Sequence, residues 1–416
     1  MRTAPGGVQG TPPSETISGP LSGVRVLDLT RLIPGAFATL MLAEMGAEVI
    51  KIEDPNGGDP MRTLPPLVGG RGLYDLLLNR GKKSVALDLR RPGSAETLDR
   101  LMAVSDVMIE SFRPGTAKRL GVAGPAVRAR HPRLIHCAIT GYGQTGPYAE
   151  RPGHDLNYVA VSGFLAADRP DPAVLPRMFV ADVGGGAMSA VIGILSALVG
   201  RGKTGEGQTL DISMHEAALY WVMLPAAREL VTGGRDAEGE LPTFGEHACY
   251  NVYRTKDDEL VALGALEPKF WQAFCRATGR ADLSTRQLTD PADQRVLIDE
   301  VRRVFATRSA RNGSASSPST TAVFRQSIGP SKRFWIHRSS RGARSCPRAS
   351  VARYGRPTWV RCRTSDRRRA WGRTRWTCSR DGRWMMASVT REAPGPGRTN
   401  ETGAARCGTM PIGRRS

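Results

Sequence analysis

From Asn312 to Ser416 the chain contains no leucine, while 22 of those residues are arginine. Five of the seven tryptophans also lie there, and no apolar repeat at the strand or helix period is sustained along it. A core therefore has to be assembled from what precedes Asn312. The same break governs the charge. Of 59 basic and 39 acidic groups in the whole chain, 23 and 4 fall after Arg311, which leaves 36 and 35 before it. The first 311 residues are thus close to neutral, and nearly all of the formal charge of +20 belongs to the last 105. The basic pI does not describe the body of the protein, and no nucleic-acid partner is implied for it. A basic stretch with interleaved Trp has the ingredients for contact with RNA or anionic lipid. Its Arg, Ser, Pro, Gly and Trp content reads more simply as GC-rich DNA translated out of frame.

Within the body, short apolar runs at 24–29, 47–52, 84–89, 106–110 and 134–139 alternate with amphipathic stretches. Strands separated by helices require right-handed crossovers, which predicts an α/β fold with a mostly parallel, Rossmann-like sheet covered on both faces. The pattern divides the chain into a flexible leader (1–19), a large α/β domain (20–232) closed by one helix over 214–231, a smaller α+β domain (233–311), and the Arg-rich tail (312–416). The small domain starts with a hairpin or meander over 243–267 and continues with helices from Pro268 and Pro291. The most apolar run, 187–200, falls short of the roughly 18 residues of a membrane span and reads as a buried helix. The first 20 residues lack the apolar centre of a secretory signal. The seven cysteines show neither metal spacing nor a paired pattern, which predicts a reduced, cytoplasmic setting.

Several signatures are missing. No GxGxxG follows the first strand, and no GxSxG elbow occurs. Gly202-Lys203-Thr204 ends like a phosphate loop, but Ala197 stands where its leading glycine belongs. His131, His136 and His215 read as structural. Three segments can carry chemistry. One is Gly153-His154-Asp155-Leu156-Asn157-Tyr158; another is Ala181-Asp182-Val183-Gly184-Gly185-Gly186, directly before the apolar helix; the third is Gly264-Ala265-Leu266-Glu267-Pro268. Each acid has a bland reading as a helix cap or a solvated first-turn residue. Together, one His and the carboxylates make a set able to move protons near neutral pH.

At these segments the chain resembles the class III CoA-transferase superfamily (the CaiB/BaiF-like proteins), and within it the α-methylacyl-CoA racemases. The resemblance runs in order through LSGVRVLDLTRLIPGAFATLMLAEMGAEVIKIE, NRGKKSVALDL, SFRPG, ITGYGQTGPY, GHDLNYVAVSG, ADVGGGAM and GALEPKFW, over residues 20 to about 311. The N-terminal strings mark the superfamily; GHDLNY, ADVGGG and LEP together mark the racemase-like branch. The resemblance implies that His154 and Asp182 move the proton on opposite faces of the substrate α-carbon. It also implies that Glu267 orients His154, with Asp155 adjacent. A thioester α-proton is weakly acidic, so its removal needs a close base and donors for the enolate oxygen. The backbone amides of Val183 and Gly184 are the candidates for that oxyanion site.

By the same resemblance, coenzyme A sits on the large domain, as part of an acyl-CoA thioester substrate, with Arg31, Arg80, Lys83 and Arg113 as its basic contacts. No metal or redox cofactor is required. In the transferase branch the residue matching Asp182 is instead a nucleophile that takes the acyl group; His154 and the Glu267 string favour proton transfer. The family forms interlocked homodimers. Here the chain departs from it, because Asn312-Gly313-Ser314 replaces a Glu-Trp-Leu type of continuation. AAT-GGC-TC is GAA-TGG-CTC read one base out of register, and an intact frame at Arg311 in the coding DNA would refute that origin. The segment that returns to the large domain would then be missing. The acyl group is not readable from these motifs.

Overall fold

The computed structural model describes residues 19–167, 178–233 and 245–309, together with the backbone of three short strands farther along. The chain divides into two compact units, 1–360 and 361–416.

In the first unit, β1 (Arg25–Leu29), β2 (Glu48–Glu53), β3 (Lys83–Ala86), β4 (Val107–Glu110), β5 (Ile135–Thr140) and β6 (Thr209–Ser213) form one sheet in the order β3-β2-β1-β4-β5-β6. Every pairing is parallel, for example Val26 opposite Val49 on one side and Val107 on the other. A parallel sheet is covered on both faces, which is why β4 and β5 are buried along their whole length. Alternate side chains feed two cores. Val26, Val49, Ile109 and Ile139 face α1 (Leu32–Glu44) through Leu42, and a later helix through Ile194. Leu27, Leu29, Ile52 and Met108 face α2 (Ser94–Ala103) and α3 (Gly124–Arg130) through Leu98, Met102 and Val127.

After β5 come α4 (Asp155–Val161), a π-helical stretch (Val180–Ala187) and α5 (Met188–Thr204). The π turn runs directly into α5. The resulting helix, Val180–Thr204, is longer than the apolar run suggests, and by length and composition alone it could cross a membrane. Its Ala181, Ala187, Ala190, Val191 and Ile194 are packed into the core against the sheet. The single helix expected over 214–231 is instead α6 (Met214–Leu219), a 3₁₀ turn (Tyr220–Val222) and α7 (Met223–Thr232). Pro225 has no N–H to offer the carbonyl four residues earlier, at Trp221, where the break falls.

The elements expected from residue 243 onward follow their predicted order. β7 (Tyr250–Arg254) and β8 (Leu260–Gly264) pair antiparallel, then α8 (Pro268–Thr278) and α9 (Pro291–Ala306) pack on them, each opened by a proline that fits the first helical turn. Its separate core stacks Tyr253 on Phe305 at 5.0 Å and Trp271 on Phe274 at 5.3 Å. The buried Trp271 indole N–H donates to the Leu283 carbonyl at 2.9 Å.

The sequence pattern offers no element after residue 311, and here the structure differs. β9 (Phe324–Gln326) adds antiparallel to β8, and the second unit contains the hairpin β10 (Arg375–Cys378) and β11 (Trp384–Ala387). Main-chain pairing accepts any side chain that can extend, so a short edge strand leaves no periodic trace.

Candidate active site

The order β3-β2-β1-β4-β5-β6 reverses its direction of winding between β1 and β4, where the loops part and leave a crevice at the carboxyl ends of the strands. A cavity of about 390 Å³ lies there, lined by Arg31, Leu89, Arg90, Phe112 and Arg119 among others. Arg90 is drawn to Asp88 (3.1 Å) and Asp54 (3.8 Å), whereas Arg119 donates to the Thr116 hydroxyl at 2.8 Å.

Beneath this crevice the turn from β1 to α1 is held by buried charge. Asp28 accepts from the Thr30 N–H (2.9 Å) and from the Thr30 and Thr39 hydroxyls (2.6 and 2.7 Å). Lys51 donates to the Thr30 carbonyl at 2.8 Å and pairs with Asp59 at 3.1 Å. Lys82 donates to the Ala36 carbonyl, the Thr39 hydroxyl and Asn79 at 2.7–2.9 Å. Burial pulls its ammonium down to about 8. The clamped turn places Leu32 in the left-handed region at φ 61°, costly for a branched residue and sustained only because its surroundings over-determine it. Arg31, the residue before it, faces the cavity.

The second locus lies at the end of β5. His154 is the N-cap of α4; its N–H donates to Asn157 Oδ1 at 3.0 Å, and its carbonyl accepts the Asn157 N–H at 2.8 Å. The imidazole is exposed. Asp155, in the first turn of α4, accepts the Asp182 N–H at 2.7 Å and so joins the two predicted segments directly. Asp182 sits in the first turn of the π helix, a geometry frequent at functional sites. Desolvation, with the Asp155 charge adding to it, pushes its carboxyl up to about 7. The three glycines after it let this turn pack closely. A Cβ on Gly185 would stand 2.9 Å from the Met214 carbonyl oxygen, and one on Gly184 would stand 3.3 Å from the Trp221 ring.

Other predicted residues are placed differently. The Val183 and Gly184 amides both donate to the Phe179 carbonyl, at 3.1 and 3.4 Å. They close the turn that holds Asp182 and are not free to receive an oxyanion, because a π-helical turn uses its own amides. Arg80 is tied to Glu44 and Lys83 to Glu48, and neither lines the cavity. Arg113 is exposed and close enough to Tyr158 to act on it electrostatically, one residue after cavity-lining Phe112. Glu267 is the exposed N-cap of α8 in the small domain; among the described residues no hydrogen bond links its carboxyl to His154. Sequence reasoning missed Arg90, Phe112 and Arg119. The available signal was position, since Phe112 and Arg119 follow β4, which flanks the reversal, and Arg90 follows the edge strand β3. Among the described residues, no three His, Cys, Asp or Glu gather as a metal site.

A doubly wound parallel sheet with an arginine-lined cavity at its switch point defines a class of α/β folds that take a ligand across the strand ends. Residues 21–316 match CoA-transferase family III, and the chain belongs to that family. It is 37% identical over 261 residues to human succinyl-CoA:glutarate CoA-transferase, covering 62% of this chain and 59% of that one. It is 34% identical over 262 residues to human alpha-methylacyl-CoA racemase, covering 62% and 65%. The chain thus spans about three fifths of the length of these relatives. A CaiB/BaiF family crystal structure from Brucella suis superposes with a TM-score of 0.66 at 28% identity, over 78% of this chain and 88% of that one.

Proposed function

We propose that the protein is a CoA-thioester isomerase that inverts the α-carbon of a 2-methylacyl-CoA. The observation that carries this reading is the Asp182 carboxyl, raised to about 7 on a turn whose Asp182 backbone N–H donates to Asp155, the residue after His154. A group that titrates near neutrality both accepts and returns a proton efficiently. One of the two residues takes the α-proton, the electron pair moves into the thioester carbonyl to give an enolate, and the other returns a proton to the opposite face. Coenzyme A enters as part of the substrate, and the chemistry asks for no metal or redox cofactor. Its phosphates suit the cavity with Arg31, Arg90 and Arg119. The exposed apolar side chains Leu156, Phe179 and Met188, next to the acid/base segments, suit an apolar acyl chain. A homodimer belongs to this reading, and a docked small domain would have to bring Glu267 to His154.

The alternative is a CoA-transferase, in which the Asp182 carboxylate forms a bond to the thioester carbonyl carbon and the CoA thiolate leaves. Its support is the similarity to succinyl-CoA:glutarate CoA-transferase. The deciding experiment is α-deuterium incorporation into 2-methyldecanoyl-CoA in D₂O, with Asp182→Ala and His154→Ala beside it. Exchange with loss of stereochemistry, abolished by Asp182→Ala, is the expected result. CoA transfer to a free acid without exchange would overturn the isomerase reading. In the pH-rate profile, His154→Ala loses one limb; an unchanged profile removes His154 from the mechanism.

A further inference from the structure

We infer that Tyr158 is a positioning residue that holds His154 at a set distance from Asp182. Its hydroxyl donates to the Gly153 carbonyl at 2.6 Å, on the residue just before His154. That bond orients the peptide plane from which the His154 backbone departs. The ring is wedged between two backbones. A Cβ on Gly141, at the end of β5, would lie 2.5 Å from Tyr158 Cε1, and a Cβ on Gly153 would lie 2.6 Å from the same atom. Glycine is thus needed on both sides, and the ring sets the gap between the end of β5 and the turn that carries His154. Tyr142 meets it edge-to-face at 5.1 Å and itself touches the rings of Tyr148 and His215, so the wedge has no room to tilt.

The same side chain senses the other proton-transfer group. Burial pushes the Tyr158 phenol up to about 12, and the Asp182 charge is the next cause, with Tyr142 and Asp155 adding to it and Arg113 opposing. The hydroxyl therefore stays protonated while Asp182 titrates, and it acts only as a donor to Gly153. No proton of the reaction passes through it. Placement matters because proton transfer falls steeply with donor–acceptor separation, and a misplacement of about 1 Å costs up to about a hundredfold.

This inference rests on the isomerase reading for its kinetic test but not for its structural one. In full-length Tyr158→Phe, which keeps the ring, deuterium wash-in from the enantiomer deprotonated by His154 should fall about tenfold or more. Wash-in from the enantiomer deprotonated by Asp182 should fall less, with KM for 2-methyldecanoyl-CoA changed less than about threefold. Equal loss from both enantiomers, or no loss, would overturn the inference. The structural test needs no activity. In histidine-labelled protein, with the His154 signal assigned by its absence in His154→Ala, Tyr158→Phe should displace that imidazole's chemical shift and titration midpoint. Gly141→Ala, which pushes the same ring from the opposite side, should do so too. An unmoved His154 signal in Tyr158→Phe refutes the role even if the protein catalyses some other reaction. Wild-type protein without exchange but with a displaced His154 signal in the variant would refute the isomerase reading and leave Tyr158 as the positioning residue.

Discussion

Replacing Asp182 with Asn should stabilise the protein above neutral pH while abolishing exchange. In the folded chain the carboxyl is raised from its ordinary 3.8 to about 7, by desolvation first and then by Asp155. In the unfolded chain it titrates near the ordinary value. Between those two values the folded state binds more protons, so this group's contribution to stability falls as pH rises from about 4 to 7 and is constant above. A shift of about three units corresponds to about 4 kcal/mol at full strength. Asp182 is only half-buried, so water discounts that to about 2 kcal/mol. Asn keeps the shape and removes the charge, while the Asp182 N–H bond to Asp155 is made by the backbone and survives the change. Urea unfolding followed by circular dichroism at pH 5 and pH 8 measures the effect. The variant should gain about 1 kcal/mol more over wild type at pH 8 than at pH 5. An equal advantage at both pH values, or a variant less stable at pH 8, would refute the reasoning that desolvation holds this carboxyl for proton transfer.

Arg119→Ala removes a cavity-lining guanidinium. A lost bond to phosphate, worth about 1.5–3 kcal/mol, should weaken CoA binding in a calorimetric titration by about ten- to a hundredfold, with a shallower salt dependence. An unchanged Kd would move the nucleotide out of that cavity. Lys51→Met leaves buried Asp59 without its lysine partner, while Asp28 keeps Lys82 at 3.6 Å, and should cost about 3–5 kcal/mol in urea unfolding; a loss under 1 kcal/mol would show that the network is not tightly coupled. Trp271→Phe removes the indole bond to the Leu283 carbonyl, which still accepts the Arg286 N–H at 3.0 Å, and should cost about 0.5–1.5 kcal/mol. Faster amide exchange confined to 250–305 would confirm it, and an unaltered exchange pattern would contradict it.

Much of the fold was legible in the linear order of residues. Apolar runs such as 24–29 and 134–139 became β1 and β5 because a strand covered on both faces needs apolar side chains at nearly every position. Pro268 and Pro291 open helices because proline's fixed φ and missing N–H suit only the first turn. The turns that hold His154, Asp155 and Asp182 were legible too, since these residues lie in glycine-rich segments beside helix starts. The short strands beyond residue 311 left no trace, because main-chain pairing at an edge carries no apolar code.

What only tertiary structure decided is who meets whom. Arg80 and Lys83 carry the right charge for a phosphate, yet the sheet order sets them beside Glu44 and Glu48, across α1 and β2. Arg119 drew no notice in the sequence, and the reversal between β1 and β4 places it on the cavity. The Val183 and Gly184 amides are spent on the Phe179 carbonyl, which no spacing rule foretells. Sequence sets the chemistry each side chain can perform. Distance and desolvation, which raise Asp182 and wedge Tyr158 between two glycines, depend on residues far apart in the chain and exist only once the strands are assembled.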